Sequence, residues 1–113
     1  MVKFHELGII VADSLESIYA LRWADIALVI VRTTDKGPFG DDIFWEFFTQ
    51  EDTLVGTPTL RFSGDDAGAE EVLDIVPKRL EGFDDKKIMD AICCCEKAHF
   101  VVWSIPSLSM RPL

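Results

Sequence analysis

Apolar positions in the first sixty residues come in short β-branched runs broken by polar turns, and beyond Ser63 they recur at helical spacing. "LGIIVA" (7–12) reads as a strand, "DSLES" as a turn and "IYALRW" (18–23) as a second strand whose alternation puts Tyr19, Leu21 and Trp23 on one face. The two form a predicted hairpin. "WAD" is a short turn before "IALVIVRT" (26–33), where β-branched density favours a strand. A helix from Ser14 to Val31 competes with this reading, because "SLESIYALRWADIALV" has some 3.6-residue periodicity. "TDKGPFGDD" (34–42) is a long turn punctuated by Gly37, Pro38 and Gly40. In "IFWEFFTQ" (43–50), Ile43, Trp45 and Phe47 alternate with Phe44, Glu46 and Phe48, so both faces are largely apolar, and a central strand covered on one side by helix is expected. "EDTLVG" turns the chain into a further strand, "TPTLRF" (57–62), with Pro58 near its start where a missing N–H is tolerated.

In the second half Asp65 or Asp66 can cap a helix running to about Val76, with Ala69, Val72, Leu73 and Val76 on its apolar face. Pro77 weakens or ends that helix, and Gly82 suits the position after its end. "FDDKKIMDAICCC" (83–95) gives a second helix with Asp84 as N-cap and Phe83 set to staple against Ile88. "AHFVVWSI" (98–105) returns as a strand. The pattern predicts one α+β domain over residues 1–113: an antiparallel sheet of five to six strands with two C-terminal-half helices packed on one face. No internal repeat or linker divides it.

Composition agrees with a globular chain. It is 113 residues long and 49% apolar, enough to bury roughly 65% of its unfolded surface without staples. The longest aliphatic run, "IALVIV", falls far short of the roughly 20 residues of a membrane span, and the N-terminal stretch does not read as a signal peptide. An odd number of cysteines fits a reducing compartment, so a cytoplasmic protein is expected.

Charge sharpens the picture. Residues 35–52 hold six acids and one base, and residues 63–90 hold nine acids and four bases, each segment summing to −5; the remainder, five acids and six bases, sums to +1 and completes the net −9. Such a potential repels phosphate backbones and anionic lipids, which argues against nucleic-acid and membrane partners and permits a basic protein partner. The carboxylates placed to meet one are Asp41, Asp42, Asp66, Glu70, Asp74, Asp84 and Asp85. On a continuous helix Asp66, Glu70 and Asp74 form one stripe, at a cost of about 0.2–0.5 kcal/mol per like-charged pair. A merely solvated helix face is the alternative.

Little else suggests chemistry. Cys93, Cys94 and Cys95 project about 100° apart on a helix, so their sulfurs cannot converge on one ion, and no C-x₂₋₄-C pair is present. Ile88, Ala91, Ile92 and Cys95 share a face, which makes the sulfur a packing group with one thiol exposed. The loop carrying Asp35, Asp41 and Asp42 lacks the spacing that wraps calcium and is no phosphate loop. No metal, cofactor or catalytic residue is therefore assigned.

The segments "RWADI", "TTDKGPFGDDIFW", "EGFDDKKIMDAI" and "AHFVVW" together resemble a family of small bacterial proteins, mostly proteobacterial, over about residues 8–104. The chain departs from that family in carrying Cys93–Cys95 where Ser, Thr or Met-like residues are usual. The resemblance implies a fold and no activity. The order of strands and then helices is also similar to small immunity proteins that neutralise toxins, at the level of fold alone. Sequence thus leads to a non-enzymatic acidic interaction module, of which an immunity-type inhibitor of a basic partner is one form. One rival is a small-molecule or catalytic pocket lined by Trp23, Trp45, Phe47 and Trp103; another is a homodimer formed through a sheet edge or aromatic patch.

Overall fold

The structure, a computed structural model, describes residues 1–12, 17–34, 43–93 and 97–106. Its fold is α+β with antiparallel strands, but the strands divide between two sheets. β1 (Val2–Phe4), β2 (Gly8–Ala12) and β3 (Ile18–Arg22) make a three-stranded meander. β4 (Leu28–Thr33), β5 (Ile43–Phe48), β6 (Leu60–Ser63) and β7 (Ala98–Ser104) make a four-stranded sheet in the order β6-β5-β4-β7.

The expectation of one five- to six-stranded sheet is corrected at the turn after β3. Trp23–Asp25 coil into a 3₁₀ turn, as the short "WAD" turn suggested. Before it, the Trp23 N–H bonds the Leu7 carbonyl at 3.1 Å; after it, the Ala27 N–H bonds the Phe48 carbonyl at 2.8 Å. Within four residues the backbone leaves one ladder and enters another. The hairpin of β2 and β3 forms as expected, and the strands at 18–22 and 28–33 displace the competing helix over 14–31.

β5 is central, between β4 and β6, and register builds the core around it. Leu60, Phe47, Val29 and Trp103 align across the inner face in one row, and Phe62, Trp45, Val31 and Phe100 in the next. Sheet and helices share this face. β2 and β3 approach β6, while α3 (Asp85–Ile92) packs against β4 and β7. Val2, Ile9, Val11 and Leu21 of the first sheet thereby join Val72, Val76, Leu80, Ile88 and Ala91 in one buried cluster. The opposite face of β4–β5 carries a small second cluster of Leu28, Ile30 and Phe48.

Among the described residues three α-helices occur where two were expected. α1 (Gln50–Val55) occupies part of the segment read as a turn. Thr49 caps it by accepting the Asp52 N–H at 3.3 Å, and the Gly56 N–H closes it on the Asp52 carbonyl at 2.9 Å. α2 (Val72–Arg79) begins later than predicted, after a 3₁₀ turn at Ala69–Glu71, and contains Pro77 instead of ending there. Gly68 precedes that turn with φ +90°, and a Cβ on it would collide with the Val2 carbonyl, so β1 and the start of the helical segment meet in contact only a glycine allows. α3 is capped by Asp84, which accepts the Lys87 N–H at 3.1 Å, and Phe83 and Ile88 join the same core. It stops at Ile92, earlier than the predicted 95. Cys93 follows it as an exposed residue, and Cys94 and Cys95 lie outside the described residues.

Candidate functional site

α2 and α3 turn Val72, Val76, Ile88 and Ala91 into the core. Their apolar faces are wider than this buried stripe. Leu73 is 45% exposed and Ile92 49%, and both line one cavity of about 230 Å³. Its floor is Val31 and Trp45 from adjacent strands; its walls are Ile43, Ala69 and Val72 with Leu73, Ile88 and Ile92. Phe83 closes in beside Trp45, the ring centroids 6.4 Å apart. Met89, 57% exposed, extends the apolar surface along α3.

The mouth is acidic. Asp65 and Glu70 line it, and among the described residues no lysine, arginine or histidine does. Glu70 is exposed and its Oε2 accepts the Gly68 N–H at 3.0 Å, which holds the carboxylate at the rim. Asp74 is exposed one helical turn further on. Among the described residues no buried side-chain polar atom lacks a hydrogen-bond partner, and no three His, Cys, Asp or Glu are grouped to hold a metal ion.

The other carboxylates fall in different places. Asp66 is not on the helix: it sits half-buried in the preceding turn, where its Oδ2 accepts the Ser63 N–H at 3.1 Å and its carbonyl accepts the Ala69 N–H at 2.9 Å. The stripe of Asp66, Glu70 and Asp74 thus reduces to Glu70 and Asp74. Asp84 is committed to capping α3, Asp85 is exposed in its first turn, and Asp41 and Asp42 lie outside the described residues.

The four pocket aromatics do not meet around one cavity. Phe47 is fully buried and Trp45 almost so. Trp23 stacks on Phe4, with centroids 6.5 Å apart, and donates its Nε1–H to the His5 carbonyl at 2.9 Å; Trp103 donates to the Glu81 carbonyl at 2.7 Å. Only Trp45 borders the acid-rimmed cavity. Sequence reading missed Leu73 and Ile92 as exposed groups because both belong to apolar helix faces; the available signal was the width of those faces, which exceeds a core stripe.

A second, open groove of about 560 Å³ lies on the first sheet, lined by His5, Leu7, Gly8, Ile10, Ala20, Arg22 and Asp25 among others. At its edge Arg22 Nε donates to Asp25 Oδ2 at 3.0 Å, and this hydrogen bond, with the carboxylate's charge, raises the guanidinium pKa further.

Fold and site together define a two-sheet α+β protein with an apolar, acid-rimmed socket between its helices and its larger sheet. No protein-family model, curated protein or solved structure matches the chain. No helix among the described residues is long and apolar enough to cross a membrane.

Proposed function

We propose that this protein is a non-enzymatic binding module whose socket between α2, α3 and the β4–β5 sheet takes a cationic amphipathic segment of a partner protein. One observation carries the reading: the exposed apolar side chains Leu73 and Ile92 line the same cavity as the carboxylates Asp65 and Glu70. Size supports it. At about 230 Å³ the cavity is below the roughly 300–1,000 Å³ usual for small-molecule sites, and it suits the anchoring side chains of a docked segment. Burying those apolar faces supplies affinity, while the rim selects a basic flank. An immunity-type inhibitor of a basic toxin is one form of this activity.

The probe is a helical Leu/Lys amphipathic peptide titrated calorimetrically into the whole chain, with a Leu/Glu peptide as control. The Leu/Lys peptide is expected to bind, and more weakly as salt rises. Glu70→Lys with Asp74→Lys removes two exposed interactions of about 0.5–1 kcal/mol each, a loss of about five- to thirty-fold in affinity, while Tm stays nearly constant. Leu73→Asp is expected to abolish binding. Equal binding of both peptides, or unchanged affinity in these variants, would sink the assignment.

A further inference from the structure

We infer that β3 pairs antiparallel with β3 of a second copy of this chain, joining the two three-stranded sheets into one continuous sheet across a two-fold axis. This does not rest on the socket.

The hydrogen-bond parity of the first sheet shows which backbone groups are open. His5 N–H bonds the Gly8 carbonyl at 2.8 Å and Ala12 N–H bonds the Met1 carbonyl at 2.9 Å, so Gly8, Ile10 and Ala12 face β1. Trp23 N–H bonds the Leu7 carbonyl, so Tyr19 and Leu21 share bonded pairs with Val11 and Ile9. The N–H and C=O groups of Ile18, Ala20 and Arg22 therefore point away from the sheet. The other edge is engaged, because Val2 N–H on β1 bonds the Ala67 carbonyl at 2.7 Å. On β3, among the described residues, no backbone group beyond the sheet meets these three positions.

Edge strands are usually blunted by proline, a bulge or a charge within the strand. β3 runs Ile-Tyr-Ala-Leu-Arg in uninterrupted register, with its one charge at the last position. Two of its apolar side chains are outside: Ile18 is 70% exposed and Tyr19 51%, while Leu21 is in the core.

A second copy fits this edge for two reasons. The register centred on Ala20 is self-complementary: Ile18 of one copy opposes Arg22 of the other and Ala20 opposes Ala20, so the three outward-facing residues meet only one another and every open donor finds an acceptor. Ile18 of the second copy then lies beside Arg22, at the edge of the groove floored by Gly8, Ile10 and Ala20, while Tyr19 covers Leu21 on the other face. Charge permits the same pairing. Residues 1–25 hold four acids and two bases, a net −2 out of the chain's −9, so copies approach through this sheet with less repulsion than through the segments 35–52 or 63–90, each at −5.

Sedimentation velocity on the whole chain at high micromolar concentration tests the pairing. A species of twice 12.7 kDa is expected for the native sequence. Ala20→Pro deletes an outward N–H and no ladder bond, and Ile18→Lys places two like charges along the seam; each is expected to give the monomer mass with unchanged far-UV circular dichroism. Should Ala20→Pro not fold, Ile18→Lys, at an exposed side chain, decides. A monomeric native chain overturns the inference, as does a dimer that survives Ile18→Lys, or one dissociated by Leu73→Asp in the socket and untouched by the β3 variants.

Discussion

Glu46 shows how much a single residue can depend on distant partners. It lies mid-way along β5, only 3% exposed, on the face away from the main core. Arg32 Nε reaches both its carboxylate oxygens at 3.2 Å, and Arg61, its cross-strand neighbour, approaches at 3.4 Å while its guanidinium sits 4.2 Å above the Phe44 ring. Both arginine side chains are nearly half exposed, so each pairing is partly screened and worth less than a fully buried bridge. Arg32→Ala or Arg61→Ala alone leaves one cation and is expected to cost about 1–2 kcal/mol. Removing both strands a buried carboxylate, at about 3–5 kcal/mol, more than the two single losses together. Urea denaturation of the three variants reads this coupling, and strict additivity would contradict it. In the sequence Glu46 is visible as the one charge within "IFWEFF". Its partners, 14 and 15 positions away, are set by strand register.

At the scale of elements, local chemistry explains what could be read in advance. α3 was legible because its start signals are contiguous: Phe83, the Asp84 cap and Ile88 stand at the offsets that capping and stapling require. Asp84→Ala is expected to lower stability by about 1 kcal/mol, with Asp84→Asn recovering most of it, as read by thermal melting. A loss as large in the Asn variant would mean that charge, and not the accepted Lys87 N–H, is what matters. α1 was illegible for the opposite reason. Six residues hold too little periodicity to be seen, and Leu54 and Val55 are left 86% and 73% exposed, so no apolar stripe announces it; its signals were confined to its ends, the Thr49 cap with Glu51 and Asp52 after it and the left-handed Gly56. The delayed start of α2 was also hidden, since Asp66 caps a helix and bonds the Ser63 N–H in a turn equally well.

For the whole molecule, one buried cluster binds both sheets and the last two helices, so the chain is expected to unfold cooperatively. Tryptophan fluorescence and far-UV circular dichroism should give coincident urea transitions; two separated midpoints would show that the three-stranded sheet opens by itself. The identities of β2 to β7, α2 and α3, the hairpin of β2 and β3, the central place of β5, the cap of α3 and the uneven acidity were determined by the sequence alone, because each depends on side-chain periodicity, short-range capping or composition; β1 and α1, of three and six residues, were too short to show such a pattern. What tertiary structure decided is how those pieces meet. The 3₁₀ turn at Trp23–Asp25 splits the strands into two sheets, Leu73 and Ile92 surface beside Glu70 to make a socket, and β3 is left at an edge, because these outcomes depend on contacts between segments whose separation along the chain leaves no local trace.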